Sequence, residues 1–71
     1  VRLEKIRALQ LLSKYFRDSD GSYYSYELNL VLDNGDRMNV VVHGDSDQLR
    51  EDAGVLATFL GVPVWDGIIN H

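Results

Sequence analysis

The chain has no cysteine and only one proline among its 71 residues. Without thiols, neither a disulfide framework nor a thiolate zinc site can form. Cysteine content therefore does not indicate in which redox compartment the protein resides. No apolar run approaches the roughly 18 residues that a membrane-spanning helix needs, and no signal peptide is recognisable. Basic residues are few as well, since seven Lys and Arg stand against eleven Asp and Glu, for a net charge of −4. This balance argues against nucleic-acid binding, which requires a clustered basic surface.

Length and composition indicate one small globular domain over residues 1–71. A chain of this length leaves no room for a second domain. The apolar share of 45% and the charged share of 25% are ordinary for a folded domain and disfavour disorder. The chain opens at Val1 rather than at Met, with Leu3 and Ile6 close behind. We interpret it as a fragment of a longer chain.

Residues 2–17 predict a first helix. They contain no Gly, Pro or Thr and are rich in strong helix formers. Leu3 and Leu11 fall outside the apolar face, which indicates either that the helix is sandwiched between other elements or that it continues toward something beyond this chain. The turn formers at residues 18–21 are expected to end the helix. At 100° per residue the broad apolar face holds Ile6, Ala8, Leu9, Leu12, Tyr15 and Phe16.

Two alternating segments, residues 23–32 and 36–43, predict an antiparallel hairpin. Each carries apolar side chains at every second position, the period of a half-buried strand. The turn signal Asp33-Asn34-Gly35 lies between them. A three-residue loop with Gly35 in the left-handed conformation keeps apolar residues opposite apolar ones. The predicted pairs are Leu30 with Met38, Leu28 with Val40, and Tyr26 with Val42.

A second helix is expected over residues 46–60, followed by an extended tail over residues 62–66. Ser46 or Asp45 suits the N-cap, Gly61 suits the C′ position, and Pro63 prevents continuation of the helix. The tail can add a short third strand. The predicted fold class is α+β, a two-layer α-β-β-α domain whose antiparallel hairpin carries both helices on one face. The buried stripe of the second helix is expected to hold Leu49, Ala53, Val55, Leu56, Phe59 and Leu60.

The second face of the hairpin carries a polar row formed by Glu27, Asn29, Asn39 and His43. Asparagine is depleted in strands, so the presence of Asn29 and Asn39 in this row requires an explanation. Hydrogen bonds to a partner or to a neighbouring segment are one reason, and solvation of an open face is the simpler one. The predicted interaction surface combines this row with the two leucines of the first helix, and it comprises Leu3, Leu11, Glu27, Asn29, Asn39 and His43.

No catalytic, cofactor or metal-binding constellation is recognisable. Ser25 is predicted opposite His43, with Asp45 nearby, so a hydrolytic or metal-dependent enzyme centred on His43 is an alternative. However, Ser25 has no nucleophile elbow and no oxyanion donors. His43 and His71 are too far apart in sequence to indicate zinc. The aromatic residues lack the basic interleaving of RNA-stacking modules and are interpreted as core and rim, namely Tyr15, Tyr23, Tyr24, Tyr26 and Trp65.

Several stretches together carry a resemblance to a known family. They include residues 25–32, Asp33-Asn34-Gly35, His43-Gly44-Asp45 and Val62-Pro63-Val64-Trp65-Asp66. Over most of residues 11–66 the pattern resembles the soluble C-terminal tail of uncharacterised bacterial multi-pass membrane proteins, a family of unknown function. The resemblance implies no activity and no site residues. It implies a soluble domain on the cytoplasmic side of a bacterial inner membrane, tethered by a helix that leads from the membrane.

Three functional hypotheses follow. The first is a non-enzymatic accessory or interaction domain of a larger, membrane-associated bacterial protein. Its partner is another protein or the remainder of the parent chain, without nucleic acid and without a cofactor. The second is the enzyme centred on His43. The third is a homodimerisation module that uses the unpaired edges of the hairpin.

Overall fold

The computed structural model describes residues 2–68, which form a four-stranded sheet with one α-helix. A short 3-10 turn precedes the first strand and contains no buried residue. In chain order the elements are the 3-10 turn Leu3–Lys5, strand β1 (Ile6–Asp18), strand β2 (Gly21–Leu32), strand β3 (Arg37–His43), helix α1 (Ser46–Leu60) and strand β4 (Val64–Gly67).

The sheet is mixed, with strand order β3-β2-β1-β4. The first three strands are antiparallel neighbours, and β4 runs parallel to β1. A parallel pair requires a crossover connection, and α1 supplies it between β3 and β4. The helix therefore packs on one face of the sheet. The face opposite α1 is the open face.

The predicted helix over residues 2–17 is wrong, and with it the two-helix α-β-β-α arrangement. This segment forms the 3-10 turn and β1. Leu9 and Leu11 lie two positions apart and are 0% and 1% exposed, opposite Leu30 and Leu28 of β2. A helix would have turned Leu11 away from its apolar face, so this residue already disagreed with the helical period. Helix propensity is a weak preference, and pairing along the whole length of β2 overrides it.

The β2–β3 hairpin has the predicted three-residue loop, with Gly35 at a φ of 91°. Leu30 stands opposite Met38, as predicted. The register then shifts, because Val40 is an extra residue in β3 and forms a β-bulge. The two remaining predicted pairs are therefore wrong by one residue on β3. The observed pairs are Leu28 with Val41 and Tyr26 with His43.

The core lies between the sheet and α1. Partly buried apolar residues from the tail, including Val62 and Val64, close its margin. One continuous cluster of this kind is expected for a single small domain. Its buried members come from β1, β2 and α1 and are Leu9, Leu11, Leu28, Leu49, Ala53 and Ala57.

Helix α1 begins and ends where the sequence predicts. Asp45 is the N-cap, and its Oδ1 accepts hydrogen bonds from the backbone N–H groups of Asp47 and Gln48 at 3.0 and 3.2 Å. Gly61 adopts the left-handed conformation, with φ 71° and ψ 33°, which ends the helix as predicted.

The buried stripe of α1 is narrower than predicted. Leu49, Ala53 and Ala57 are buried, while Val55 and Phe59 are 71% and 77% exposed. The prediction that Val55 and Phe59 widen the stripe is wrong. A single helix that lies on a sheet buries only the side that faces the strands, and these two residues point away from it.

Strand β4 confirms the strand that the tail was expected to add. An ion pair links β4 to α1, with Arg50 Nε 2.8 Å from Asp66 Oδ2. The hydrogen bond from Arg50 is the main cause that lowers the pKa of the Asp66 carboxyl. The same bond raises the pKa of Arg50. At Gly67 an added Cβ would lie 2.9 Å from the carbonyl oxygen of Leu11, so β4 lies too close to β1 for any larger residue at that position.

Candidate interaction site

The two leucines predicted to share one surface lie in different environments. Leu3 is 60% exposed in the 3-10 turn, whereas Leu11 is 1% exposed and belongs to the core. Leu11 was placed outside because a helix was assumed. On β1 the same residue faces α1, so only Leu3 remains accessible to a partner.

Three of the four predicted polar residues meet on the open face. Asn39 Nδ2 donates to Asn29 Oδ1 at 3.1 Å, and Asn29 Nδ2 donates to Glu27 Oε1 at 3.2 Å. Lys14 on β1 completes the chain, with its Nζ 3.1 Å from Glu27 Oε2. Asn29 is only 5% exposed. The interpretation of Asn29 as a solvated residue is therefore wrong, and hydrogen bonds to neighbouring strands explain the asparagines.

The polar row also extends onto β1, which the sequence analysis missed. Gln10 stands opposite Asn29 on one side and Trp65 of β4 on the other. Its Oε1 is buried and has no hydrogen-bond partner within residues 2–68. The signal was the position of Gln10 between the apolar Leu9 and Leu11, which the helical interpretation of this segment concealed.

The fourth predicted polar residue, His43, lies on the face that carries α1. The bulge at Val40 places it opposite Tyr26 rather than opposite Ser25. Its Nδ1 accepts a hydrogen bond from the backbone N–H of Asp45 at 2.9 Å. Ser25 is the residue before Tyr26 on β2 and therefore points to the open face. The three residues of the alternative hydrolytic site are not brought together, and His71 lies outside the described residues.

Beyond the body of the sheet, β1 and β2 continue as a two-stranded arm. The last residue of β4 pairs with Leu12, and the last residue of β3 pairs with Tyr26. From there to the turn at residues 19–20, β1 and β2 are the only paired strands within the described chain. The arm comprises residues 13–18 and 21–25. All of them are exposed except the half-buried Ser13 and Ser25.

Four aromatic side chains cover both faces of the arm. Tyr15 and Tyr24 form a tilted pair with ring centroids 5.0 Å apart. Phe16 and Tyr23 stack on the open face at 5.1 Å. These cross-strand pairs stabilise the ribbon, yet the four residues remain 36% to 56% exposed. The interpretation of Tyr15, Tyr23 and Tyr24 as core and rim is wrong, because the strands that carry them extend past α1, whereas Tyr26 packs against the core.

The arm also carries charges of both signs. Lys14, Arg17 and Asp18 follow one another along the end of β1. In the turn, Asp18 Oδ1 accepts a hydrogen bond from the backbone N–H of Asp20 at 2.9 Å. The turn formers that were expected to join a helix to a strand thus join two strands.

Strand β3 is a second exposed feature, since it forms one edge of the sheet and all seven of its residues are exposed. Met38, Val41 and Val42 are 42%, 38% and 58% exposed. The bulge at Val40 interrupts this edge, and interrupted edges resist pairing with another strand. The arm is therefore the stronger candidate for an interaction site.

Within residues 2–68, no three or more His, Cys, Asp or Glu side chains are grouped to hold a metal ion. No helix in the same range is both long and apolar enough to cross a membrane. Comparison of the chain with protein-family models, with curated proteins and with solved structures found no match.

Proposed function

We propose that this chain is a non-enzymatic interaction domain of a larger protein and that the β1–β2 arm contacts its protein partner. The observation that carries the proposal is the set of four exposed aromatic side chains on both faces of the arm. Aromatic residues dominate the binding energy of protein interfaces. Adjacent exposed aromatic side chains are typical of interaction sites rather than of ordinary surface.

The stability of the arm supports the same proposal. A two-stranded hairpin alone is marginal in water. Each cross-strand aromatic pair contributes only about 0.2–1 kcal/mol. A partner that covers one face would bury more aromatic surface and would stabilise the ribbon further. Because β1 and β2 already pair along the arm, little backbone ordering is left for the binding step.

The membrane context is proposed from the family resemblance alone. The helix predicted over residues 2–17 would have suited a tether that leads from the membrane, but that segment forms the 3-10 turn and β1. We propose that the parent is a bacterial membrane-associated protein. Fractionation of the full-length polypeptide tests this proposal. The parent is expected to remain in a membrane pellet after an alkaline wash, and recovery in the wash would overturn this part.

Site-specific photo-crosslinking in the full-length parent polypeptide tests the role of the arm. The photoreactive amino acid p-benzoylphenylalanine replaces Phe16 or Tyr23 on the arm, and in the matched control it replaces Phe59 on α1. All three are exposed aromatic positions, so the replacement is conservative at each. A discrete protein adduct is expected at the two arm positions and not at Phe59. No adduct at the arm, or identical adducts at all three positions, would contradict the proposal.

A further inference from the structure

We infer that the partner of the arm is the arm of a second copy of this chain, with the two β1 strands paired antiparallel across a two-fold axis. The inference rests on the proposed role of the arm. It follows from two features of β1: which backbone groups reach its outer edge, and the order of charges along residues 14–18.

The backbone groups at the outer edge can be assigned from one hydrogen bond. The N–H of Leu9 donates to the carbonyl of Pro63 at 3.0 Å, on the side of β1 away from β2. The β1–β2 register runs without a shift from Ala8 to Asp18. In an antiparallel pair the N–H and C=O of alternate residues point to the same side. Tyr15 and Arg17 lie six and eight positions beyond Leu9. Their backbone N–H and C=O groups therefore point to the same edge of β1 as those of Leu9, at a place beyond the end of β4.

The charges select one register for a symmetric pair. When the axis passes beside Phe16, Lys14 stands opposite Asp18 of the second copy. Tyr15 then stands opposite Arg17 of the second copy, and Phe16 stands opposite its own counterpart. Each unlike contact occurs twice because of the symmetry. The hydrogen-bonded residues of this register are Tyr15 and Arg17, the two whose backbone groups reach the edge.

Neighbouring registers are less favourable. An axis beside Lys14 or beside Arg17 places two like charges directly opposite each other, which destabilises strand pairing. An axis beside Tyr15 places Lys14 opposite Phe16 and leaves Asp18 opposite the apolar Leu12. Only the axis at Phe16 pairs every charged residue of this segment with an opposite charge or an aromatic ring.

The faces also match. Lys14, Phe16 and Asp18 lie on the open face, so the two ion pairs flank the two phenyl rings. On the other face, Arg17 lies over the ring of Tyr15 of the second copy, an arrangement that cation–π attraction favours. The Lys14 side chain is 58% exposed although it contacts Glu27. An ammonium group has three donors and can bind a second carboxylate.

The absence of cysteine in the chain makes disulfide trapping a clean test. In a dimer of the Phe16→Cys variant, the two introduced cysteines lie directly opposite each other. Their Cα atoms are about 4.5 Å apart, which is within the range for a disulfide. Tyr23→Cys is the matched control. Tyr23 stacks on Phe16 on the same face of the arm, but it lies on β2 rather than on β1. In the proposed sheet the two copies of Tyr23 are about 14 Å apart.

Under mild oxidation, Phe16→Cys is expected to give a covalent dimer and Tyr23→Cys to remain monomeric. Cross-linking of Tyr23→Cys alone would place the contact on β2, and equal cross-linking of both would indicate random collision. Either result would overturn the inference, as would the absence of a dimer in both. If that absence accompanies a photo-adduct of the arm with a different protein, the inference fails and the proposed function stands. If no photo-adduct forms either, both fail.

Charge reversal provides a second test that does not depend on sulfur chemistry. Lys14→Asp alone and Asp18→Lys alone are each expected to weaken self-association about tenfold in sedimentation equilibrium. An equimolar mixture of the two variants is expected to recover wild-type association, because the mixed dimer restores both ion pairs. Unchanged association of the single variants, or a mixture as weak as either variant, would overturn the inference.

Discussion

Replacing Leu11 by Ala tests the strand assignment of residues 6–18. Leu11 is 1% exposed and belongs to the cluster under α1. Truncation of a leucine in a close-packed core costs about 2–5 kcal/mol. A domain of this length is stable by roughly 4–11 kcal/mol. For a domain this small, each kcal/mol lowers the melting temperature by roughly 4–8 °C. A loss of about 3 kcal/mol therefore lowers it by about 12–24 °C, as read from a thermal melt followed by circular dichroism.

The matched control is Leu3→Ala. Leu3 is 60% exposed, and a surface substitution of this kind changes stability by about 0.5 kcal/mol or less. In a helix over residues 2–17 both leucines would lie off the buried face, and both variants would melt close to the wild type. Similar small losses for the two variants would therefore refute the strand. A large loss at Leu3 would contradict its exposure.

Three further predictions concern stability. An added Cβ at Gly54 in α1 meets no atom within 4 Å. Gly54→Ala should therefore stabilise the domain by about 0.5–1 kcal/mol, while Gly61→Ala, at a φ of 71°, should destabilise it by about 1 kcal/mol; a thermal melt that reversed the two signs would contradict both assignments. The pKa of Asp66 is lowered in the folded state, so the stability it contributes is present above its ordinary value of 3.8 and is lost as the pH falls through the lowered value. Asp66→Asn should be less stable than wild type at neutral pH and equal to it below both values; a difference in urea midpoint that does not change with pH would count against the ion pair. Asn29→Ala leaves the Glu27 carboxylate without its amide donor and should cost about 1–3 kcal/mol in urea unfolding, so a neutral result would show that the open-face network contributes nothing.

Local signals predicted the elements from β2 onward well. Alternation placed β2 and β3, the Asp-Asn-Gly signal placed the loop between them, and Asp45 and Gly61 bounded α1. Each of these signals acts through neighbouring residues or the local backbone, so no distant contact is needed to recognise it. The bulge at Val40 has no such signal, and it moved His43 to the other face of the sheet.

The candidate site was found only in part. Glu27, Asn29 and Asn39 were predicted to share a face, and they form one hydrogen-bonded chain there. Lys14, which completes it, comes from β1 and was assigned to a helix. The same misassignment concealed the arm, because its aromatic pairs exist only when β1 and β2 are neighbours.

By itself, the sequence determined a small α+β domain with a hairpin, a capped helix and an extended tail, since composition, alternation and capping residues are local properties. Only the tertiary structure decided the state of residues 6–18, whose apolar positions, with the exception of Leu11, satisfy the period of a helix. Pairing with β2 along this segment, and with β4 at residues 9–12, satisfies backbone groups of the segment as a strand, and Leu9 and Leu11 are buried under α1. These contacts are made with residues up to 55 positions away, and within residues 2–17 only Gln10 and Leu11 indicate a strand rather than a helix.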